Sequence, residues 1–192
     1  MREIAYDNYF WQESGIRLRA MKIEDSEVQY HNRFDTDARR LVDYEVELPP
    51  TSEECNKFAE TFANFAPGTG RLMFTIESLE GENIGSLNIN GIDERNGTFG
   101  IGMQVDRDYR GKGYGTSAMI ILLRYAFLER RLNKFNVSIF DGNIGSSTML
   151  KKLGCKQEGI RRQVIYTNGK YVDEIFFGLT KDEFIESQNI QL

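Results

Sequence analysis

The 192-residue sequence holds one histidine, two cysteines, three prolines and one tryptophan. It also has no apolar run near the roughly 20 residues of a membrane span. Each shortage excludes something. A single histidine, His31, argues against a histidine-based catalytic triad or a histidine-built metal site, and it reads as a surface helix residue. Cys55 and Cys155 make neither a disulfide framework nor a metal-ligand cluster, so no metal is expected and a reducing cytoplasm is the expected compartment. No membrane association is expected, and residues 1–14 lack the apolar core of a signal peptide. The formal net charge is −5, which argues against nucleic acid as the main ligand. That charge suits a cationic substrate, as it suits many acidic proteins.

Glycine is plentiful, with 18 residues, and it concentrates around one stretch. In residues 99–105, Phe99, Ile101, Met103 and Val105 alternate with Gly100, Gly102 and Gln104, the period of a strand with one apolar face. The glycines leave bare backbone on the other face, where something can approach closely. A basic turn follows, carrying Arg110, Gly111, Lys112, Gly113, Tyr114, Gly115 and Thr116. From about Gly113 a helix is expected, with Tyr114, Ala118, Ile121, Leu122, Tyr125 and Leu128 at helical spacing. A glycine-rich turn opening a helix is an anion site, because the first N–H groups lack partners in the helix and the dipole is positive there. With Arg110 and Lys112 beside it, the expected ligand is a phosphate or pyrophosphate. The spacing fits neither the P-loop nor the dinucleotide G-x-G-x-x-G pattern.

The rest of the chain reads as one domain of about 15–184, with an N-terminal extension (1–14) and a C-terminal tail (185–192). In the extension, Tyr9, Phe10 and Trp11 are expected to pack on the body. Residues 16–21 alternate as a first strand. Asp25 is a candidate cap for a helix running to about Phe34. Residues 35–47 are polar with helical stretches, ended by Pro49-Pro50. Thr51-Ser52-Glu53-Glu54 starts a helix striped by Cys55, Phe58, Ala59, Phe62 and Phe65, ending near Pro67-Gly68. Strands near 71–77, 84–90 and 99–105 then form an antiparallel meander. The strand at 134–140 should lie parallel to 99–105, because a helix connects them. A second helix is expected at 144–153, closed by Gly154. A hairpin at 165–172 turns on Asn168-Gly169, a last strand covers 175–179, and a short helix forms around Asp182.

The turn Arg110-Gly111-Lys112-Gly113-Tyr114-Gly115 resembles the acetyl-CoA loop, R/Q-x-x-G-x-G/A, of the GNAT acetyltransferase superfamily. The resemblance extends over about 15–184. The segment from Asn143 to Cys155 is similar to the family's N-x-x-A/S-x-x-x-Y-x-K-x-G-F. Glu158-Gly159, Arg162, Tyr166, Gly169 and Asp173 fit the tail of the subgroup that acetylates ribosomal-protein N-termini and polyamines.

The resemblance implies an α+β, single-domain GNAT fold. Its central sheet is mixed, mostly antiparallel and flanked by helices, with a parallel pair splayed around acetyl-CoA, the cosubstrate. It further implies that Arg110 to Thr116 hold the pyrophosphate. Met103, Gln104 and Val105 would bond pantetheine, with a backbone N–H at or near Val105 holding the oxyanion. Asn143 and Ser146 would attend the sulfur.

Two departures stand out. Leu150 occupies the place of the family's usual general-acid tyrosine, so Ser146 is the candidate to protonate or bond the departing thiolate. Gly100 stands where related enzymes often carry a glutamate, so the base is open among Glu77, Asp93, Glu158, Asp173, Glu174 and water. Asn88 and Asn90 are candidates to line the acceptor side. Tyr109 and Tyr114 flank the loop, each a candidate to touch the cofactor or simply to pack, with packing favoured, and Cys155 reads as a core thiol.

The expected reaction moves acetyl to a primary amine, either a protein N-terminus or a small polyamine-like amine. The rival readings are a non-catalytic acyl-CoA-binding module and a nucleotide-binding protein. A homodimer is compatible with the sequence, which carries no readable sign of oligomeric state.

Overall fold

The computed structural model describes residues 4, 6–43, 46–66 and 68–191. Its elements run β1 (Gln12–Glu13), β2 (Ile16–Ala20), α1 (Ser26–Asn32), α2 (Thr36–Arg39), α3 (Ser52–Phe62), β3 (Arg71–Ser78), β4 (Asn83–Asp93) and β5 (Thr98–Val105). They continue with α4 (Tyr114–Arg124), β6 (Lys134–Phe140), α5 (Ile144–Lys152), β7 (Lys156–Thr167), β8 (Lys170–Thr180) and α6 (Lys181–Ser187). The strands form one sheet in the order β1-β2-β3-β4-β5-β6-β8-β7. All neighbours are antiparallel except β5 and β6. The meander and the parallel step stand as the sequence reading had them. No described helix is long and apolar enough to cross a membrane.

Alternation sorts the sheet into an apolar and a polar face. Leu18, Phe74, Ile76, Leu87, Ile89, Phe99 and Ile101 join the core with Ala118, Ile121 and Leu122 of α4. On the other face the register places Arg71 beside Asn90 and Gly100, and Met73 beside Asn88 and Gly102. After α4 the chain continues as one π turn, Tyr125–Glu129, which brings Phe127 against Phe99 and Phe184. Trp11 packs on Phe74 and Tyr125, with ring centroids 5.2 and 4.9 Å away. Tyr9, by contrast, is exposed.

Several local expectations change. Asp25 does not cap α1 with its side chain. Its buried carboxylate instead accepts from Arg19 Nη1 and Nη2 (both 2.8 Å), the Lys22 N–H (2.8 Å), Thr75 Oγ1 (2.7 Å) and Asn83 Nδ2 (2.9 Å). The first helix stops at Asn32, short of Phe34. Helix α3 ends at Phe62, where Asn64 enters the left-handed region and its N–H bonds the Met21 carbonyl. The expected stop at Pro67 lies outside the described residues.

The separate hairpin arm and last strand are one strand, β8, paired along β7. The slip in register between Arg161 and Ile165 is absorbed by Gln163, at φ 55°, whose N–H bonds Asp173 Oδ1 (2.9 Å). Asn168 and Gly169 both take positive φ, as a tight turn requires. Helix α6 runs past the expected domain end to Ser187, and Ile190 packs on the core.

Because the Asp25 cluster ties β2, β3 and β4 to the start of α1, breaking it should be costly. Asp25→Ala strips Arg19, Thr75 and Asn83 of a shared partner. It is expected to lower unfolding free energy by on the order of 3 kcal/mol, read from the urea midpoint at unchanged slope.

Candidate active site

The site is organised by a fork between β5 and β6. The two strands pair only at Thr98–Lys134 and Phe99–Phe135. Beyond that, β5 stays with β4 through Val105, while β6 follows β8. The N–H of Asp106 bonds the carbonyl of Ile84 (3.0 Å), extending the β4–β5 ladder by one rung. In an antiparallel ladder, bonded and non-bonded pairs alternate. Counting back, Gln104, Gly102 and Gly100 bond β4, so the N–H and C=O of Ile101, Met103 and Val105 point toward the departed β6. Apart from the Val105 carbonyl, which Arg110 takes, the fork therefore presents unpaired strand backbone on β5.

At the tip of β5 the chain enters the glycine turn. Gly111 and Gly113 hold φ of 76° and 90°, a region L side chains seldom enter. Gly113 is the N-cap of α4. No N–H of residues 111–116 donates to a protein acceptor among the described residues, so six consecutive amides remain available at a helix N-terminus. Gly115 meets the need for close approach. A Cβ there would lie 3.1 Å from Met103 Cε and 3.4 Å from Val105 Cγ2, so its absence lets α4 start hard against β5. Lys112 is exposed, its Nζ 5.1 Å from the Tyr109 ring centre. Thr116 is half-buried. Tyr109 donates to Glu82 Oε2 (2.9 Å), and both it and Tyr114 pack against the core.

Two cavities adjoin the fork. A smaller one, about 190 Å³, is walled by Ile101, Phe135, Val137, Asn143, Ser146 and Leu150 among others. A larger one, about 390 Å³, opens over the polar face, with Gln29, Arg39, Asp43, Arg71, Asn88 and Gln104 in its walls. The two share Val42, Gly102 and Met103. They meet where the main chain of β5 is bare, so molecules entering from the two sides would face each other across Met103.

Of the remaining sequence candidates, Asn143 caps α5 as expected, accepting from the Ser146 N–H (3.1 Å). It also donates to the Leu41 carbonyl (3.2 Å), which ties the stretch after α2 to the cavity rim. The Ser146 hydroxyl makes no protein hydrogen bond among the described residues, and it lines the smaller cavity beside buried Leu150. The Val105 carbonyl accepts from Arg110 Nε (2.8 Å). Gln104 turns its side chain to the larger cavity, accepting from Arg39 Nη1 (3.0 Å). The space beside Gly100 and Gly102, read from sequence as open to a visitor, is filled by Asn90 and Asn88. A Cβ on Gly102 would stand 2.8 Å from Asn88 Nδ2.

None of the five candidate bases lines either cavity. Glu77 pairs with Arg17 and Arg19, Asp93 caps its own turn, and Glu158 pairs with Lys134. Asp173 holds Gln163, and Glu174 is buried beside Arg161. His31 is exposed, and burial pushes the Cys155 thiol up to about 12, where it is inert. The carboxylate that does line the larger cavity is Asp43, pushed up by burial against the pull of Arg39.

The residue the sequence reading missed is Asp35. It is 7% exposed and caps α2. Its oxygens accept from Arg107 Nη2 (2.7 Å) and Arg110 Nη1 (2.7 Å), across more than 70 residues of chain. It reaches the arginine side chains of the turn and leaves the amides open. The Arg107 bond, followed by that of Arg110, holds the carboxyl at about 2 despite its burial. A depressed folded value contributes stability that is full above the unfolded pKa of roughly 4 and is lost as pH falls through about 2. Asp35→Asn should therefore be less stable than the parent by about 1 kcal/mol at neutral pH, the partners being partly solvated. The gap should close between about pH 4 and pH 2, as followed by urea unfolding at stepped pH.

Comparison with known proteins gives this geometry a family. The family description "Acetyltransferase (GNAT) domain" matches residues 16–156. The SPbeta prophage-derived uncharacterized N-acetyltransferase YokL of Bacillus subtilis (strain 168) is 30% identical over 177 residues, 91% of this chain and 95% of that protein. Among solved structures, a spermidine N-acetyltransferase from Vibrio cholerae in complex with CoA and spermine superposes with a TM-score of 0.79 at 17% identity, covering 90% of this chain and 99% of that one. RimL, a ribosomal L7/L12 alpha-N-protein acetyltransferase in complex with coenzyme A, gives 0.77 at 20%, covering 89% and 97%. These two share the fold. With the forked sheet, the glycine turn and a family match over most of its length, the chain belongs to the GNAT family of acetyl-CoA-dependent N-acetyltransferases.

Proposed function

We propose that the protein transfers acetyl from acetyl-CoA to a primary amine, a protein N-terminal α-amine or a small polyamine-like amine, by direct attack through a tetrahedral intermediate. The observation that carries this is the fork. Unpaired amides of β5 stand beside six free amides at the start of α4, where Gly115 packs against Met103 and Val105. Residues 110–116 grip the pyrophosphate, with Arg110 and Lys112 adding charge. Pantetheine lies along Met103, Gln104 and Val105 as an added strand. The amine enters through the larger cavity and meets the thioester at Met103.

Its nitrogen attacks the carbonyl carbon. The carbonyl oxygen gains negative charge and takes a bond from a β5 N–H at or near Val105. Such preorganised donors typically contribute about 10²–10³ in rate. The C–S bond then breaks, and the thiolate is met by the Ser146 hydroxyl and the Asn143 amide. Nitrogen gives up its proton to water, since the carboxylates proposed from sequence are engaged elsewhere. Only the neutral amine attacks. For an α-amine acceptor kcat/KM should therefore rise with pH through roughly 8, and for a lysine-like amine it should keep rising toward roughly 10.

Three measurements test the reading. Thiol release from acetyl-CoA should occur with at least one amine in a mixed panel. Tight CoA binding without turnover would instead favour a binding module. Gly113→Val, whose side chain meets open space but whose backbone sits at positive φ, should lower CoA affinity more than about tenfold by calorimetry while the protein stays folded. Ser146→Ala should lower kcat by about tenfold or more with little change in the KM for acetyl-CoA.

A further inference from the structure

Resting on the amine-acetylation reading, we propose that the acceptor is a primary amine that also carries a carboxylate, and that Arg71 recognises that carboxylate. The charges around the larger cavity carry the argument. Three guanidinium groups line it, from Arg33, Arg39 and Arg71, against a single carboxylate, Asp43, among the described residues. Arg33 lies within ion-pair range of Glu47 and Glu54 (3.8 and 3.5 Å). Arg39 is held by Glu47 (2.6 Å), Asp43 and the Gln104 amide oxygen. Asp43 is therefore paired with Arg39, which it shares with Glu47. Arg71 differs from the other two arginines. It is exposed, has no carboxylate partner among the described residues, and sits 5.7 Å from the centre of the Phe62 ring.

The rest of the lining is amide. Asn88 and Asn90 stand between Arg71 and the glycines of β5. Through the register Arg71–Asn90–Gly100, the Arg71 Cα lies two strand spacings from β5, roughly 10 Å. Its side chain lines the larger cavity that covers that span. An acceptor with its amine at Met103 and an acidic group a few bonds away would place the acid on Arg71, which can bind it through two parallel N–H bonds.

A polyamine meets the opposite conditions. Its second ammonium would enter a cavity whose one lining carboxylate is already paired, and would approach an uncompensated guanidinium. Discrimination thus comes from attraction and repulsion together. Two sources supply the chemistry, a peptide N-terminus with an acidic side chain in its first residues, or a small amino acid.

The test is steady-state acetylation of four acceptors: a short peptide with Asp at its second and third positions, the same peptide with Lys there, free glutamate, and spermidine. The acidic peptide or glutamate should exceed both cationic acceptors in kcat/KM by at least about tenfold, the worth of one charge-assisted contact. Turnover of the peptide alone or of glutamate alone separates the two sources. Arg71→Ala should erase the preference by raising KM for the acidic acceptor while KM for acetyl-CoA holds, and Arg71→Lys should restore part of it. Preference for spermidine or the lysine peptide, or a preference untouched in Arg71→Ala, overturns the proposal and leaves amine acetylation standing. Failure of all four acceptors with CoA still bound overturns amine acetylation, and this inference with it.

Discussion

Everything at the site depends on two strands that start together and part. The join is narrow, two residue pairs, but it is well founded. Phe99 and Phe135 stack at its base with ring centres 5.7 Å apart, Phe127 closes on Phe99 from below, and Phe184 backs Phe127. Above that base each strand has one neighbour, β4 or β8; each full ladder, base included, has seven registered pairs. The sheet is thus two halves joined at an aromatic cluster. A continuous sheet would satisfy the backbone of β5 internally. The split leaves its N–H groups facing the cavities, where a ligand strand can take them up.

The glycine turn extends the same logic. Gly113 at the N-cap brings no side chain to its helix, so the first-turn donors that a serine or aspartate would have satisfied remain unmet. Gly115 lets that end press on Met103 and Val105. Donors of the strand and donors of the helix therefore form two runs of one track, separated along the chain by the bonded amides of Asp106, Asp108, Tyr109 and Arg110. Asp35 holds Arg110 and Arg107 near that track in the absence of an anion, and in doing so fastens the start of α2 to it. Since Asn143 also bonds Leu41, just beyond α2, the segment between the two cavities is tied to both the turn and α5.

How much of this could be read in the sequence follows from how local each signal is. The strand-turn-helix at 98–124, the Asn143 cap and the Asn168-Gly169 turn rest on contacts within a few residues, and all three stand. The Thr180 cap with Glu183 is equally local. Asp25 was legible only as a helix start, because an aspartate before a helix looks the same whether it caps that helix or serves a distant arginine and threonine. Asp35 was invisible for a related reason. Its arginines lie 72 and 75 residues away, and no spacing rule links them. The spread of β7 and β8 beyond the predicted hairpin turned on a bulge at Gln163, a residue with no intrinsic preference for positive φ. The candidate bases failed as a group for the same cause. A strand position says which face a carboxylate occupies, but not which cation has already claimed it.

Net charge shows the limit most sharply. At −5 the whole chain suits a cationic partner. Yet Coulomb interactions between exposed charges fade over about 8 Å at physiological ionic strength, so a bound molecule answers to the few groups around it. Here carboxylates are engaged elsewhere, by Arg19, Arg107, Lys134 and Lys156. The wall of the larger cavity keeps an arginine, Arg71, that none of the described carboxylates reaches. Acidity of the protein and basicity of its acceptor cleft are compatible because ion pairing allocates carboxylates one by one, and the allocation is a property of the fold. On the proposed reading, the charge that selects a substrate is the one left over after that allocation, the guanidinium of Arg71.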